Sequence, residues 1–536
     1  MGKNALCSFY FLGGLAVCLS MPALAQRPTA PLSVQNDRIL DPSGRQVFLW
    51  GMNVGEKSSS NLHQSWHGPE DFHNLRRWGM NAVRMMIFWS ALEPEPGRYD
   101  ETYLASVDER IGWARDAGLY VILDMHQDLW SAAIPGGNGA PAWATLDGGQ
   151  PHFTIGDIWS AAYYVSPRVH RVFDNFWNNT PGPDGTGIQE RYALAWRHVA
   201  ARYANRPEVI GFDLMNEPFP GSMIQETAGP LLDALPALLR DVPMPDSLPR
   251  FIDSITENPL PPWLLDALDD PGRHRIALET LRPVMGRFER DMLMPTYRRV
   301  HRAIREVNAT GIIFLEPCVF ANVGVPTEIE ALCDPDGVRD PQQAYLPHAY
   351  DIVTDTPLSG QPSENRLNLI VTQKRRDAER LGMPLLIGEW GAYYGSPKTR
   401  DAARMMNRLL EENVCGAFYW EYHRHLERAV YFEVLSKPAP LRLAGALESF
   451  SLSPGAGIFS CRWENTSSTG DSLFALPESW PEHGLVITTE PAGLRAVIER
   501  DSKDPKTRYV TVSATDAAAT TTLTLRISPP VGGERP

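Results

Sequence analysis

The stretch GFDLMNEPFPG at 211–221 ends an apolar run on Asn216 and Glu217, and PLLIGEWG at 384–391 ends another beside Glu389. Burying a carboxylate is costly unless it is paired or used. Two carboxylates facing one cleft can cleave a glycosidic bond: one, protonated, gives its proton to the leaving oxygen, and the other, ionised, attacks the anomeric carbon. If the carboxyls stand about 5–5.5 Å apart, the reaction is retaining and passes through a covalent glycosyl-enzyme.

The neighbouring residue types divide the roles. Arg84, in AVRMMIFW, favours an ionised Glu389 if the fold brings them together, and Tyr350 can donate a hydrogen bond to it. Asn216 suits the sugar 2-hydroxyl. Glu217 is therefore read as acid/base and Glu389 as nucleophile. Trp420 supplies a flat floor for a sugar ring, and His126 and His348 are placed to bind hydroxyls or orient carboxylates. Asp124, His126 and Asp128 in LDMHQD are read as pointing to opposite faces of a strand, so they are not expected to converge as metal ligands; Asp124 stays a substrate-binding candidate. No metal and no cofactor are expected. A serine-hydrolase reading fails because the chain has no G-x-S-x-G elbow.

These residues need a scaffold that gathers distant segments. Short apolar runs recur at 47–53, 82–89, 120–126, 209–217, 311–317, 344–350, 384–390 and 416–422, each bounded by turn residues. Helical patterns lie between them, several ending in Gly or Asn as helix C-termini prefer. Buried strands alternating with helices predict an α/β fold, a (β/α)8 TIM barrel, whose site forms at the C-terminal ends of the strands. Those ends carry Asn53, Arg84, His126, Asn216, Glu217, His348, Tyr350, Glu389 and Trp420.

After residue 436 the pattern becomes alternating and turn-rich, which predicts a C-terminal antiparallel β-sandwich over 436–536. The catalytic barrel is expected over 26–435, with long loops at 130–190 and 221–290. The first is rich in aromatics, the second is punctuated by Pro with Leu- and Trp-bearing helical pieces, and both could overhang the site. Residues 1–25 read as a signal peptide, with Lys3, an apolar run and ALA at 23–25, so a secreted or periplasmic protein is expected. No other stretch is long and apolar enough to span a bilayer. The net charge of −14 argues against nucleic-acid binding and against electrostatic docking on anionic lipid, but not against apolar lipid contact, for which 221–290 is the candidate. Cys318, Cys333, Cys415 and Cys461 remain after cleavage, with buried free thiols or a Cys318–Cys333 disulfide as the alternatives.

On Arg84, His126, NEP at 216–218, HAY at 348–350, GEWG at 388–391 and Trp420, the barrel resembles glycoside hydrolase family 5 of clan A. NVGEKSS at 53–59, LDMHQDLWS, NGAPAWA, NEPFPG and the C-terminal region make it most similar, within that family, to the endoglycoceramidases. The resemblance implies hydrolysis of the bond between a sugar or oligosaccharide and ceramide, with Lys57 contacting the sugar pocket. A glycolipid or β-glycoside would then be the substrate, and a lipid aglycone needs an apolar slot, which 221–290 could supply. The alternatives are a glucosylceramidase, a steryl glucosidase, a β-1,4-glucanase or a mannanase of the same barrel type. A non-catalytic carbohydrate- or lipid-binding protein and a structural envelope protein are the readings from other classes.

Overall fold

The structure is a computed structural model that describes residue 28 and residues 30–156, 158–243, 261–394, 399–453, 457–466, 470–492, 494–513 and 521–528. The expected signal peptide and the middle of the second long loop, 244–260, lie outside them.

Eight parallel strands form the barrel: β1 (Trp50–Val54), β2 (Ala82–Ile87), β3 (Tyr120–Met125), β4 (Val209–Asp213), β5 (Ile312–Leu315), β6 (Gln343–Tyr345), β7 (Leu386–Gly391) and β8 (Gly416–Trp420). Each pairs with its neighbour in chain order, and β8 returns to β1. Bridges Tyr345–Leu385 and Ala349–Trp390 close the ring between β6 and β7. Every strand residue except Gly391 is buried, as parallel strands covered on both faces must be. At Gly211 a Cβ would lie 2.0 Å from the Ile312 carbonyl oxygen, so the close approach of β4 to β5 requires glycine.

Helices pack outside the ring at Pro69–Arg77, Glu101–Ala117, Ile188–Arg202, Met294–Arg305, Glu364–Leu381 and Thr399–Glu412, where the sequence places them. Glu101–Ala117 shows why its ends fall where they do. Asp100 accepts hydrogen bonds from the Thr102 and Tyr103 amides, and Gly118 stops the helix at φ +81°. The expected alternation fails once: the β5–β6 connection has no α-helix, only a 3-10 turn at Val319–Val323. A helix of the long loop, Pro271–Phe288, packs there instead, with Leu278 against Gly324.

The C-terminal strands form two antiparallel sheets. One contains β9 (Ala439–Leu443), β12 (Ser472–Leu476), β15 (Arg508–Ser513) and β14 (Arg495–Arg500). The other contains β10 (Gly445–Ser453), β11 (Ile458–Asn465), β16 (Thr521–Ser528) and β13 (Val486–Glu490). Phe459 and Trp463 of β11 meet Phe474 of β12 across the gap, with ring centroids 6.3 and 5.3 Å apart. The expected boundary needs one correction. Three short strands, Ser33–Gln35, Arg38–Leu40 and Gln46–Val47, extend the first sheet through β9, so the N-terminal part of 26–435 belongs to the sandwich and not to the barrel. Among the described residues, Cys318, Cys333, Cys415 and Cys461 are free thiols.

Lys437 joins the two parts. It is fully buried between the Trp50 and Phe450 rings, pairs with Glu411 at 2.9 Å and donates to Asn407. Glu411 in turn accepts from the Leu452 amide of β10 at 3.0 Å. Removing one member of a buried ion pair leaves the other charge without compensation. Lys437→Ala is therefore expected to destabilise the protein by about 3–5 kcal/mol, read as a lower denaturation midpoint. Pairing it with Glu411→Gln should recover part of the loss.

Candidate active site

The fourth strand ends at Asp213, four residues before Glu217. Leu214 to Glu217 continue as an irregular rim, pinned by hydrogen bonds to the neighbouring strand and helix. The Asn216 amide donates to the Met125 carbonyl at 3.2 Å, and the Leu214 carbonyl accepts from Tyr192 and Trp196 at 2.7 and 2.9 Å. Glu217 itself has φ +46°, a left-handed conformation that a non-glycine residue adopts only when its surroundings hold it there. Its amide donates to Glu316 Oε2 at 2.9 Å.

Arg84 of β2 is fully buried at the centre of the rim. It donates to Asn53 (2.9 Å), Asp213 (2.8 Å), Asn216 (2.9 Å), Glu316 (2.7 Å) and Glu389 (2.8 Å), and Asp124 lies 3.0 Å from the same guanidinium. Asp124 and Asp213 face each other in the β3–β4 register, which would be repulsive without this cation. Burial and Glu316 push the Asp213 carboxyl well up, whereas His348 and Arg84 outweigh burial and hold Glu316 low.

Glu217 and Glu389 converge. A carboxylate oxygen of each and a ring nitrogen of His348 lie within 4.8 Å of one another. His348 Nδ1 is 2.8 Å from Glu217 and 3.5 Å from Glu389, and its Nε2 is 3.1 Å from Glu316. Burial opposes a charge on this ring, but the surrounding carboxylates override it and hold the imidazole well above its ordinary range. An imidazole held in its charged form has no free lone pair for a metal. The other close acidic group, Asp124, Asp213 and Glu316, already has Arg84 as its cation. Burial pushes Glu389 up to about 7, against the pull of His348 and Arg84. Arg84 alone therefore does not settle its charge as the sequence suggested, and the Tyr350 hydroxyl adds a second donor at 2.9 Å.

Asp124, His126 and Asp128, spaced two residues apart across the end of β3, lie side by side rather than on opposite faces. His126 Nδ1 is 2.8 Å from Asp124, and Nε2 is 3.6 Å from Asp128. They form a chain that ends on Lys57, 2.5 Å from Asp128, rather than a shell around one point. Burial raises Asp128, but Lys57 and His126 draw it well below the usual carboxylate range. The two aspartates likewise outweigh burial on His126 and raise it to about 9. Trp420 stacks on the His126 ring at 5.4 Å, and the Lys57 ammonium lies 4.8 Å from the Trp420 ring.

These groups open into a cavity of about 730 Å³ at the C-terminal rim. Lys57, His126, Asn216, Tyr350 and Trp420 line it with both glutamates. Arg84, Asp124 and His348 do not, which corrects their expected role as substrate contacts. They lie beneath the floor, where desolvated charges need protein partners on every side. Both long loops reach the cavity, the first through Ile158, Trp159 and Tyr164, the second through Ile224, Leu231, Leu268 and Leu281. With Phe320 and Val323 they make one wall apolar. Asp213, Glu316, Asp128 and Asn322 were missed as site residues. Asp213 and Glu316 carried a signal, an acid inside or closing an otherwise apolar run; Asn322 carried none.

A profile described as Cellulase (glycosyl hydrolase family 5) matches residues 40–425. The chain belongs to glycosyl hydrolase family 5. Among relatives in the family, endoglycoceramidase I of Rhodococcus hoagii is 33% identical over 196 residues, which cover 36% of this chain and 38% of that protein. The glucosylceramidase of Aspergillus fumigatus is 34% identical over 245 residues, covering 35% of this chain and 32% of its own length. The match thus spans less than half the length of the curated relatives. The structural likeness is wider. Endo-glycoceramidase II from Rhodococcus sp. in its ganglioside GM3 complex superposes with TM-score 0.69 at 26% identity, covering 93% of this chain and 100% of that one.

Proposed function

We propose that this family 5 enzyme is a retaining β-glycosidase that releases ceramide from glycosphingolipids. The observation that carries the reading is a cavity that Glu217 and Glu389 line together with aromatic and charged groups and with apolar residues from both long loops. Likeness to endoglycoceramidases supports the substrate class.

In this reading Trp420 underlies the sugar, and Lys57, His126 and Asn216 meet its hydroxyls. Glu389, receiving hydrogen bonds from Arg84 and Tyr350, attacks the anomeric carbon. Glu217 protonates the departing ceramide oxygen, then takes a proton from the water that hydrolyses the glycosyl-enzyme. The close approach of the two carboxylates favours this route over an inverting one, which needs about 6.5–9.5 Å between carboxyls to seat a water. The aglycone lies along Ile224, Leu231, Leu281 and Phe320, beside the acid that frees it.

Fluorescent-acyl glucosylceramide and lactosylceramide in mild detergent, assayed beside a glucan and a mannan, test this. Free ceramide is expected from wild type, with a loss of at least about 10³-fold for Glu389→Gln, the scale of a missing essential group. Glucan or mannan hydrolysis without ceramide release would discard the lipid substrate. Because Glu389 acts ionised and its carboxyl is pushed up to about 7, the acid limb of kcat/KM should fall as pH drops through about 7. We also propose export, on the composition of residues 1–25. The mature protein isolated from its producing cells should then begin at Gln26, and an intact Met1 terminus would refute this.

A further inference from the structure

The loop that replaces the helix between β5 and β6 reaches both glutamates through one residue. The Asn322 side-chain amide donates to Glu217 Oε1 at 2.6 Å. Its backbone carbonyl accepts from the Tyr350 amide at 3.1 Å, and the Tyr350 hydroxyl donates to Glu389. Asn322 is itself held. The Val319 amide donates to the Pro218 carbonyl at 3.0 Å, the Cys318 amide to Glu289 at 2.9 Å, and Lys374 to the Ala321 carbonyl. Glu289 also accepts from the Thr327 hydroxyl at 2.8 Å. The loop is thus tied at both ends and cannot easily carry Asn322 away.

Two donors now meet at one oxygen. His348 Nδ1 lies 2.8 Å from the same Glu217 Oε1, and the Glu316 and Glu389 carboxylates beside the ring favour its charged form, in which Nδ1 is a donor. An oxygen that already accepts two hydrogen bonds is a poor place for a proton. We propose that Asn322 is a positioning residue that, with His348, fixes Glu217 Oε1 as the acceptor oxygen and confines the acidic proton to Oε2. This rests on Glu217 being the acid/base. In the first step the Oε2–H bond breaks and its proton passes to the glycosidic oxygen. The bond from that oxygen to the anomeric carbon breaks with its electron pair going to the oxygen, and Glu389 forms the ester bond to the carbon.

A residue that acts through the acid matters in proportion to how much acid help the leaving group needs. The test compares wild type, Asn322→Ala, Asn322→Asp, Asn322→Ser and Glu217→Gln on phenyl and 2,4-dinitrophenyl β-glycosides of one sugar. Asn322→Ala and the near-isosteric Asn322→Asp should lose about ten- to a hundred-fold in kcat/KM on the phenyl glycoside, the scale of one hydrogen bond to a charged group. On the dinitrophenyl glycoside, which departs without a proton, they should stay within about three-fold. Asn322→Ser keeps a short donor and should recover part of the phenyl activity. Equal losses on both glycosides, or none on either, would overturn the role of Asn322. Glu217→Gln reports separately on the underlying assignment. A leaving-group-dependent loss there upholds Glu217 as the acid, and equal losses there would remove that assignment and this inference with it. Should Asn322→Ala unfold, the Asn322→Asp comparison decides.

Discussion

Arg84 is surrounded by four carboxylates, Asp124, Asp213, Glu316 and Glu389, that reach it from four strands or their ends. Taken singly, each would be costly to hold at such burial, and so would the guanidinium. Together they satisfy one another, because a guanidinium presents five N–H donors in a rigid plane and can serve several acceptors at once. The register of the barrel follows from this. If β3 slipped by one residue, Asp124 would turn away from Arg84 and face the helices. Glu389 and Asn216 stand at the outer edge of the cluster, so the same network that closes the barrel floor also aims the groups exposed to the cavity.

Above that floor the cavity has two characters. Trp420, His126 and Lys57 form a stacked, charged corner, while Ile224, Leu231, Leu281 and Phe320 form a wall with no charge. The division suits a substrate that is a sugar at one end and a hydrocarbon at the other, since hydroxyls need hydrogen-bond partners and apolar chains need only to leave water. Glu217 sits where the two regions meet. That placement, rather than the mere presence of two glutamates, links the chemistry to a lipid leaving group.

The absence of a helix between β5 and β6 shows how an insertion can become part of a site. Pro271–Phe288 fills the space, and a Cβ at Gly324 would crowd Leu278 at 3.0 Å and Ile370 at 3.2 Å. The helix therefore both braces the loop bearing Asn322 and lends Leu281 to the apolar wall. On the opposite end of the barrel the sandwich is fastened through Lys437 and Glu411, away from the site.

Barrel and sandwich were legible in the sequence, because burial on both faces demands unbroken apolar runs and burial on one face demands alternation. The same runs exposed Glu217, Glu389, Arg84 and His348, polar residues at places where only function or pairing tolerates them. Pattern alone could not show which polar residues meet substrate and which sit beneath it. Asp124 near the end of β3 and His126 just beyond it are two residues apart, yet Asp124 turns to Arg84 and His126 lines the cavity, a choice made by neighbours on other strands. Nor could it place the N-terminal strands, whose partner β9 is about 400 residues away, or Asn322, an amide in an irregular loop with no periodicity to mark it. The sequence determined what each segment had to bury. Tertiary structure decided which charges face each other, because pairing depends on distances between segments that no local pattern encodes.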